Sequence, residues 1–312
     1  MVILSCRKRY NLPPIESNDS IRKMLNSDKW FTEVYPDDGS ALSLELTEKL
    51  HQEQTPWQKL EVYQTTKFGR LMLLDGCIML TGRDNFIYHE MMTHPVLCSH
   101  PAPQKVLIIG GGDCGCLREV LKHPQVKHVD QVDLDERVTW ASEKFFPELC
   151  ESNDDPRASL SFTDGVAFIE QAESGSYDVI IVDSVDPVGQ AARLYSEEFY
   201  RACYTGLSEN GMLVAQSESP LFHKDLIHSM QTRMAAVGFN DATTVFFPQC
   251  TYPSGWWSAS MVFKGHKPLD FRTVDIETEY YNNDIHQGAQ AMPQFMRNAS
   301  NSELTKKGEL TK

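Results

Sequence analysis

KVLIIGGGDCGCLRE, Lys105–Glu119, is the stretch around which the rest of the chain can be arranged. Val106–Gly110 is a short apolar run with β-branched side chains that stops at glycine, the pattern of a buried parallel strand. Cys116–Lys122 then reads as a helix with Leu117, Val120 and Leu121 on one side. Strand, glycine turn and helix together bring backbone N–H groups and a helix N-terminus close to a nucleotide. Gly110, Gly112 and Gly115 satisfy G-x-G-x-x-G, a weak pattern by itself that gains force between a strand and a helix. Asp113 sits inside the turn, where it would repel a pyrophosphate. The turn therefore reads as built for a ligand other than a phosphate.

Outward from this stretch, strand and helix patterns alternate. Strands are expected at Val106–Gly110, His128–Asp133, Leu160–Thr163, Tyr177–Val182, Met212–Gln216, Thr243–Phe247 and Ala259–Phe263. Helices are expected at Cys116–His123, Glu136–Phe146, Val166–Gln171, Ser196–Leu207 and Lys224–Val237. This βαβ rhythm predicts an α/β fold, a Rossmann-like doubly wound sheet with ligands outside the carboxyl ends of its strands. Before it, Lys59–Gln64, Arg70–Leu74 and Cys77–Thr81 read as short strands, and Asp75-Gly76 is a hairpin signal. Asp84 is placed to cap a helix over Phe86–Leu97. The expected layout is a flexible arm at 1–26, a small antiparallel β domain at 27–83, the catalytic domain at 84–266 and a partly disordered tail at 267–312.

Composition narrows the function. The chain has 312 residues and a net charge of −14. That balance disfavours nucleic acid, whose phosphates need clustered Lys and Arg, and suits a small cationic ligand. No apolar run approaches the length of a membrane span. The eight cysteines lack paired spacing and read as reduced thiols of a cytoplasmic protein. His89 has no second histidine at ligand spacing, so no metal site is expected.

The decisive pattern is an acid after each central strand: Asp113 in the glycine turn, Asp133 followed by Asp135, Asp164 before Gly165, and Asp183 with Asp186 three residues on. One such aspartate is an ordinary helix cap; a row along one crevice points to a ligand. Asp133, about twenty residues past the turn, suits ribose hydroxyls. Asp164-Gly165 suits an adenine amino group. Asp113, Asp183 and Asp186 make the far end anionic, which is costly unless a cation binds there. Gln58, just before a strand, can offer an amide.

At this point the sequence resembles the spermidine synthases, the polyamine aminopropyltransferases. The resemblance runs from about Trp30 to Gly265 through YQTTKFGRLMLLDG, RDNFIYHEM, KVLIIGGGDCG with LREV, DGVAF, DSVDPVG and TYPSG. It implies an N-terminal β domain, a methyltransferase-type Rossmann domain, a cytoplasmic homodimer or homotetramer, and transfer of an aminopropyl group to putrescine, giving spermidine. Decarboxylated S-adenosylmethionine is then a co-substrate and no cofactor is needed. By motif, Gln58, Asp113, Asp133, Asp164, Gly165 and Gln190 fall to the donor. Tyr88, His89, Asp183, Asp186, Gln216 and Tyr252 fall to the amine, with Asp183 the proton acceptor.

The chain departs from the family pattern in several places. Cys114 stands for a glycine, Asn85 and Asp133 for glutamates, and Gln190 for a proline. Trp256-Trp257 follows TYPSG, where the family is less bulky. The rival expectations are a methyltransferase using S-adenosylmethionine, whose carboxylate Asp113 would repel, and a non-catalytic polyamine-binding homologue.

Overall fold

The computed structural model describes residues 29–185 and 189–297, with only the backbone at 189 and 190. The expected arm at 1–26, Asp186 and the last residues of the expected tail lie outside the described residues.

The N-terminal sheet is an antiparallel meander in chain order: β1 (Trp30–Tyr35), β2 (Ser40–Gln54), β3 (Lys59–Thr65), β4 (Arg70–Leu74) and β5 (Cys77–Thr81). The expected hairpin at Asp75-Gly76 joins β4 to β5, and both turn residues have positive φ, 50° and 85°. That geometry matches the strand twist and favours Asp-Gly.

The second sheet has seven strands in the order β11-β12-β10-β9-β6-β7-β8. They are β6 (Lys105–Gly110), β7 (His128–Asp133), β8 (Ala158–Phe162), β9 (Tyr177–Asp183), β10 (Leu207–Gln216), β11 (Asn240–Pro248) and β12 (Trp256–Phe263). The five from β10 to β8 are parallel, and β12 and β11 close one side antiparallel. The chain leaves β6 for β7 and β8, then returns to place β9 on the other flank of β6. The crevice at that reversal is where ligands bind in open parallel sheets.

Helices α1 (Asn85–Ser99) and α2 (Gly115–Leu121) cover one face, and α4 (Gly165–Glu170), α5 (Glu197–Gly206) and α6 (Lys224–Ala236) the other; α3 (Glu136–Phe145) follows β7. Strand periodicity assigns the core. Val106, Ile108, Val179 and Ile181 pack towards α1 and α2, whereas Leu107, Ile109, Ile180 and Val182 pack towards α5 and α6. The β domain docks through Leu60, Val62, Met72 and Leu80 against Val138, Ala141 and Phe145 of α3. That contact sets the meander over the carboxyl edge of the large sheet.

One expectation is corrected here. Asp84 occupies the cap position of α1 but makes no side-chain cap; its carboxylate takes the hydroxyls of Thr81 and Thr251 at 2.5 and 3.0 Å. It ties the two domains together instead. Within the expected tail, residues 267–297 pack as a strap along α1. The buried Glu90 carboxylate accepts the N–H groups of Glu279, Tyr280 and Tyr281 at 2.7–2.9 Å, and the Arg272 side chain donates to the carbonyls of Leu97 and His100. A short helix, α7 (Asn283–Gly288), completes the strap. These anchors use backbone groups and single charges, so no periodic pattern announces them.

Candidate active site

A cavity of about 680 Å³ opens where the meander meets the carboxyl edge of the large sheet. Its wall includes Gln58, Asp113, Asp133, Asp164, Asp183 and Gln216, together with Tyr88, Gly165 and Tyr252. The row of strand-end acids is thus brought to one surface. Nucleoside-sized ligands fit cavities of roughly 300–1,000 Å³.

Asp183 ends β9 opposite Gly110 of β6. Its carbonyl takes the Gly111 N–H at 2.9 Å, and a Cβ on Gly111 would stand 2.8 Å from its Oδ2. The turn glycine therefore makes room for the carboxylate of the chain itself. Tyr88 of α1 donates its hydroxyl to Asp183 Oδ1 at 2.7 Å. Oδ2 is buried and takes no hydrogen bond of ordinary geometry among the described residues; the Cys116 thiol, a weak donor, lies beside the carboxylate. Burial first, then the charge of Asp113, hold Asp183 above the usual carboxylate range. Burial and the Asp183 charge likewise push the Tyr88 phenol up.

Asp113 is positioned from two sides. Its Oδ1 accepts the Gly115 N–H at 2.7 Å, and its Oδ2 meets His89 Nε2 at 3.1 Å. Burial raises Asp113, but the imidazole and the Gly115 N–H outweigh it and hold the carboxyl below its usual value. Burial lowers His89, and the Asp113 charge reverses that. His89 itself, 1% exposed, does not line the cavity. Its ring stands behind Asp113, in space that exists because a Cβ on Gly115 would lie 2.2 Å from the imidazole Cε1. The expectation that His89 lies where it can meet the amine is thereby corrected: it orients Asp113, which does line the cavity.

At the other end Asp133 closes β7. Its Oδ1 takes the Asp135 N–H at 2.8 Å, and burial raises its pKa to about 6. Asp135 caps α3 and holds the amide of Gln58 at 3.0 Å and the hydroxyl of Thr55 at 2.7 Å. Gln58 reaches the cavity from the meander by that bond. Asp164 caps α4 through Val166 and Ala167 and pairs with Arg193 at 2.5 Å. Burial raises Asp164, while Arg193 and the cap lower it further than burial lifts it. Gly165 has a packing reason as well: a Cβ there would lie 2.5 Å from Ile109.

The acids are therefore less bare than a row of like charges suggests. Asp113 has His89 and Asp164 has Arg193; Asp183 keeps unused acceptor capacity. Gln216 lines the wall but donates to Tyr195 at 2.7 Å, and Tyr252 donates to the Met79 carbonyl at 2.5 Å. The backbone of Gln190 falls in the 3₁₀ turn Gly189–Tyr195 beside the cavity; its side chain is outside the described residues. Sequence reading missed Thr55, Cys116, Arg193 and Tyr195. Only Arg193 left a signal, as the lone basic residue between Asp164 and Tyr200.

Comparison with known proteins agrees with this fold. Residues 85–273 match the spermine/spermidine synthase domain, and residues 29–82 match the spermidine synthase tetramerisation domain. The chain is 57% identical over 281 residues to a polyamine aminopropyltransferase of Methylococcus capsulatus, covering 88% of this chain and 98% of that protein. It is also 57% identical over 274 residues to a polyamine aminopropyltransferase of Thioalkalivibrio sulfidiphilus, covering 86% and 96%. Among solved structures, a spermidine synthase in complex with the transition-state analogue AdoDATO superposes with a TM-score of 0.83 at 34% identity, over 88% of this chain and 98% of that one. The spermidine synthase of Thermotoga maritima superposes with a TM-score of 0.81 at 33% identity, over 91% and 98%. Among the described residues no helix is long and apolar enough to cross a membrane.

Proposed function

Because the chain belongs to the spermine/spermidine synthase family, and so is an aminopropyltransferase, we propose that it moves the aminopropyl group of decarboxylated S-adenosylmethionine to putrescine. The products are spermidine and methylthioadenosine. The observation that carries this reading is the Tyr88–Asp183 pair at 2.7 Å in a cavity that Asp113, Asp133 and Asp164 also line.

In this mechanism the nucleoside lies over β7 and β8, with Asp133 accepting from the ribose, Gln58 beside it, and Asp164-Gly165 at the base. Gln190 borders the same end. Asp113, held by His89, takes the aminopropyl ammonium and rejects a carboxylate at that position. The amine lies towards β10 and β12, against Tyr88 and Tyr252, with Asp186 holding its remote ammonium and Gln216 behind. The new N–C bond forms as the S–C bond breaks. Methylthioadenosine leaves as a neutral thioether and needs no acid.

The proton on the nucleophile is the obstacle. Ordinary values of about 10.4 for an alkylammonium and about 3.9 for Asp set roughly 9 kcal/mol against direct transfer to the carboxylate. Burial raises Asp183 and narrows that gap from one side. The sulfonium next to the attacking amine disfavours the ammonium and narrows it from the other. Tyr88 fixes the carboxylate so that the lone pair is aimed in line, and alignment supplies much of the remaining acceleration. No resident cofactor or metal enters any step.

The β meander, which matches a tetramerisation domain, supports a homotetramer, with a homodimer the smaller alternative. The test of the activity is incubation with decarboxylated S-adenosylmethionine and putrescine, with products identified by mass. Spermidine and methylthioadenosine in equal amounts are expected. Absence of both, or methyl transfer from S-adenosylmethionine, would sink the reading.

A further inference from the structure

Two adjacent tryptophans begin β12, and the strand turns them to opposite sides. Trp256 packs outward, its ring 5.6 Å from Phe246 and 6.0 Å from Phe295. Trp257 lines the cavity and is 4% exposed. Its ring stands 4.8 Å from Tyr252, tilted by 67°, and Tyr252 stands 5.7 Å from Tyr88, which holds Asp183. Three aromatic rings therefore run in succession from the carboxylate to the cavity wall. They do so on the β10–β12 flank of the sheet, away from Asp133 and Asp164 at the ends of β7 and β8.

We propose that Trp257 is the end stop of the acceptor site and sets the length of amine the enzyme accepts. The inference rests on the aminopropyl-transfer reading above. An indole has few rotatable bonds and here is locked by Tyr252 and by its pairing with Phe247 in β11. A chain that is too long must displace a packed ring rather than bend a flexible one. The indole faces also attract a cation, so the stop tolerates the ammonium end of a short diamine. Its Nε1–H has no acceptor among the described residues. Packing alone holds the ring, and removing it strands no partner.

A single methylene misfit in an apolar pocket discriminates by roughly 10–200-fold, which sets the scale of the test. The ratio of kcat/KM for spermidine to that for putrescine is measured in the parent, in Trp257→Leu and in Trp257→Phe, with thermal melts of all three. The parent is expected to favour putrescine, and Trp257→Leu to raise the ratio tenfold or more. A smaller change in a folded Trp257→Leu overturns the inference. Should that variant melt below the assay temperature, Trp257→Phe decides: a threefold rise or more supports the end stop, and less overturns it. A parent that transfers to no amine overturns the underlying reading as well; a parent that transfers while the variants keep its ratio overturns the end stop alone.

Discussion

Tyr88 and Asp183, 95 residues apart in the chain, are joined by a 2.7 Å hydrogen bond from the phenol to the carboxylate. One comes from a helix that enters the catalytic domain from the meander, the other from the end of a central strand. The bond favours the charged form of Asp183 against burial and the Asp113 charge, which both disfavour it. The proposed base thus sits between opposing influences that leave it above an ordinary carboxylate.

If Asp183 takes the proton, Asp183→Asn keeps the shape and the Gly111 contact but removes the acceptor charge. Turnover should fall by about 10²–10⁴, the usual contribution of a general base. The melting temperature and the calorimetric affinity for methylthioadenosine should stay near those of the parent. Near-normal turnover would remove Asp183 from the role.

Tyr88→Phe deletes the donor and leaves the ring that packs against Tyr252 and Phe247. Loss of the bond raises the Asp183 pKa further. Because the base must be ionised, the acid limb of the kcat/KM–pH profile should move to higher pH while the alkaline limb stays. An unchanged acid limb would show that the phenol does not tune the carboxylate.

Asp133 has a folded-state pKa of about 6, above its ordinary value, because burial penalises its charge. A raised carboxylate pKa means the folded state holds its proton more tightly than the unfolded chain. Stability is then lost as pH rises from about 4 through 6. Asp133→Asn should therefore melt higher than the parent at pH 8, by a margin that shrinks towards pH 4, and should bind the nucleoside more weakly. A margin independent of pH would contradict the assignment.

Cys114 adopts φ 68° in the glycine turn, a conformation that costs an L-residue about 1–2 kcal/mol. Its thiol meets the Gly112 carbonyl and the Gln131 amide at 3.6 Å. Cys114→Gly exchanges relief of strain for a small void and a floppier unfolded chain, so urea denaturation should place it within about 1 kcal/mol of the parent. Cys114→Val, β-branched at positive φ, should lose about 2 kcal/mol or more.

Glu90 has three backbone N–H groups on one buried carboxylate. Charge-assisted bonds of this kind contribute about 1.5–3 kcal/mol each when made. Glu90→Ala should free the strap, shown as faster proteolysis between Asp270 and Asn283 and a lower melting temperature, with Glu90→Gln intermediate. Equal protease resistance in all three would mean the strap is held elsewhere.

Local pattern determined much of this protein. Apolar runs ending in glycine or aspartate located the strands of the large sheet to within a few residues, because burial on both faces leaves a continuous apolar signal. Asp113, Asp133, Asp164 and Asp183 were legible because a strand end is itself local, and parallel order alone puts such ends along one crevice. What those acids touch was decided only by tertiary structure. His89 reads as a ligand-facing residue in its helix, yet the missing Cβ of Gly115, on another helix, seats it behind Asp113. Gln58 reaches the crevice through Asp135, 77 residues away. Trp256 and Trp257 are alike in sequence, and the pleat of β12 alone sends one outward and one into the cavity. Residue spacing encodes periodicity, and so the elements; contacts between elements depend on side-chain directions and close approaches that only the folded chain brings together.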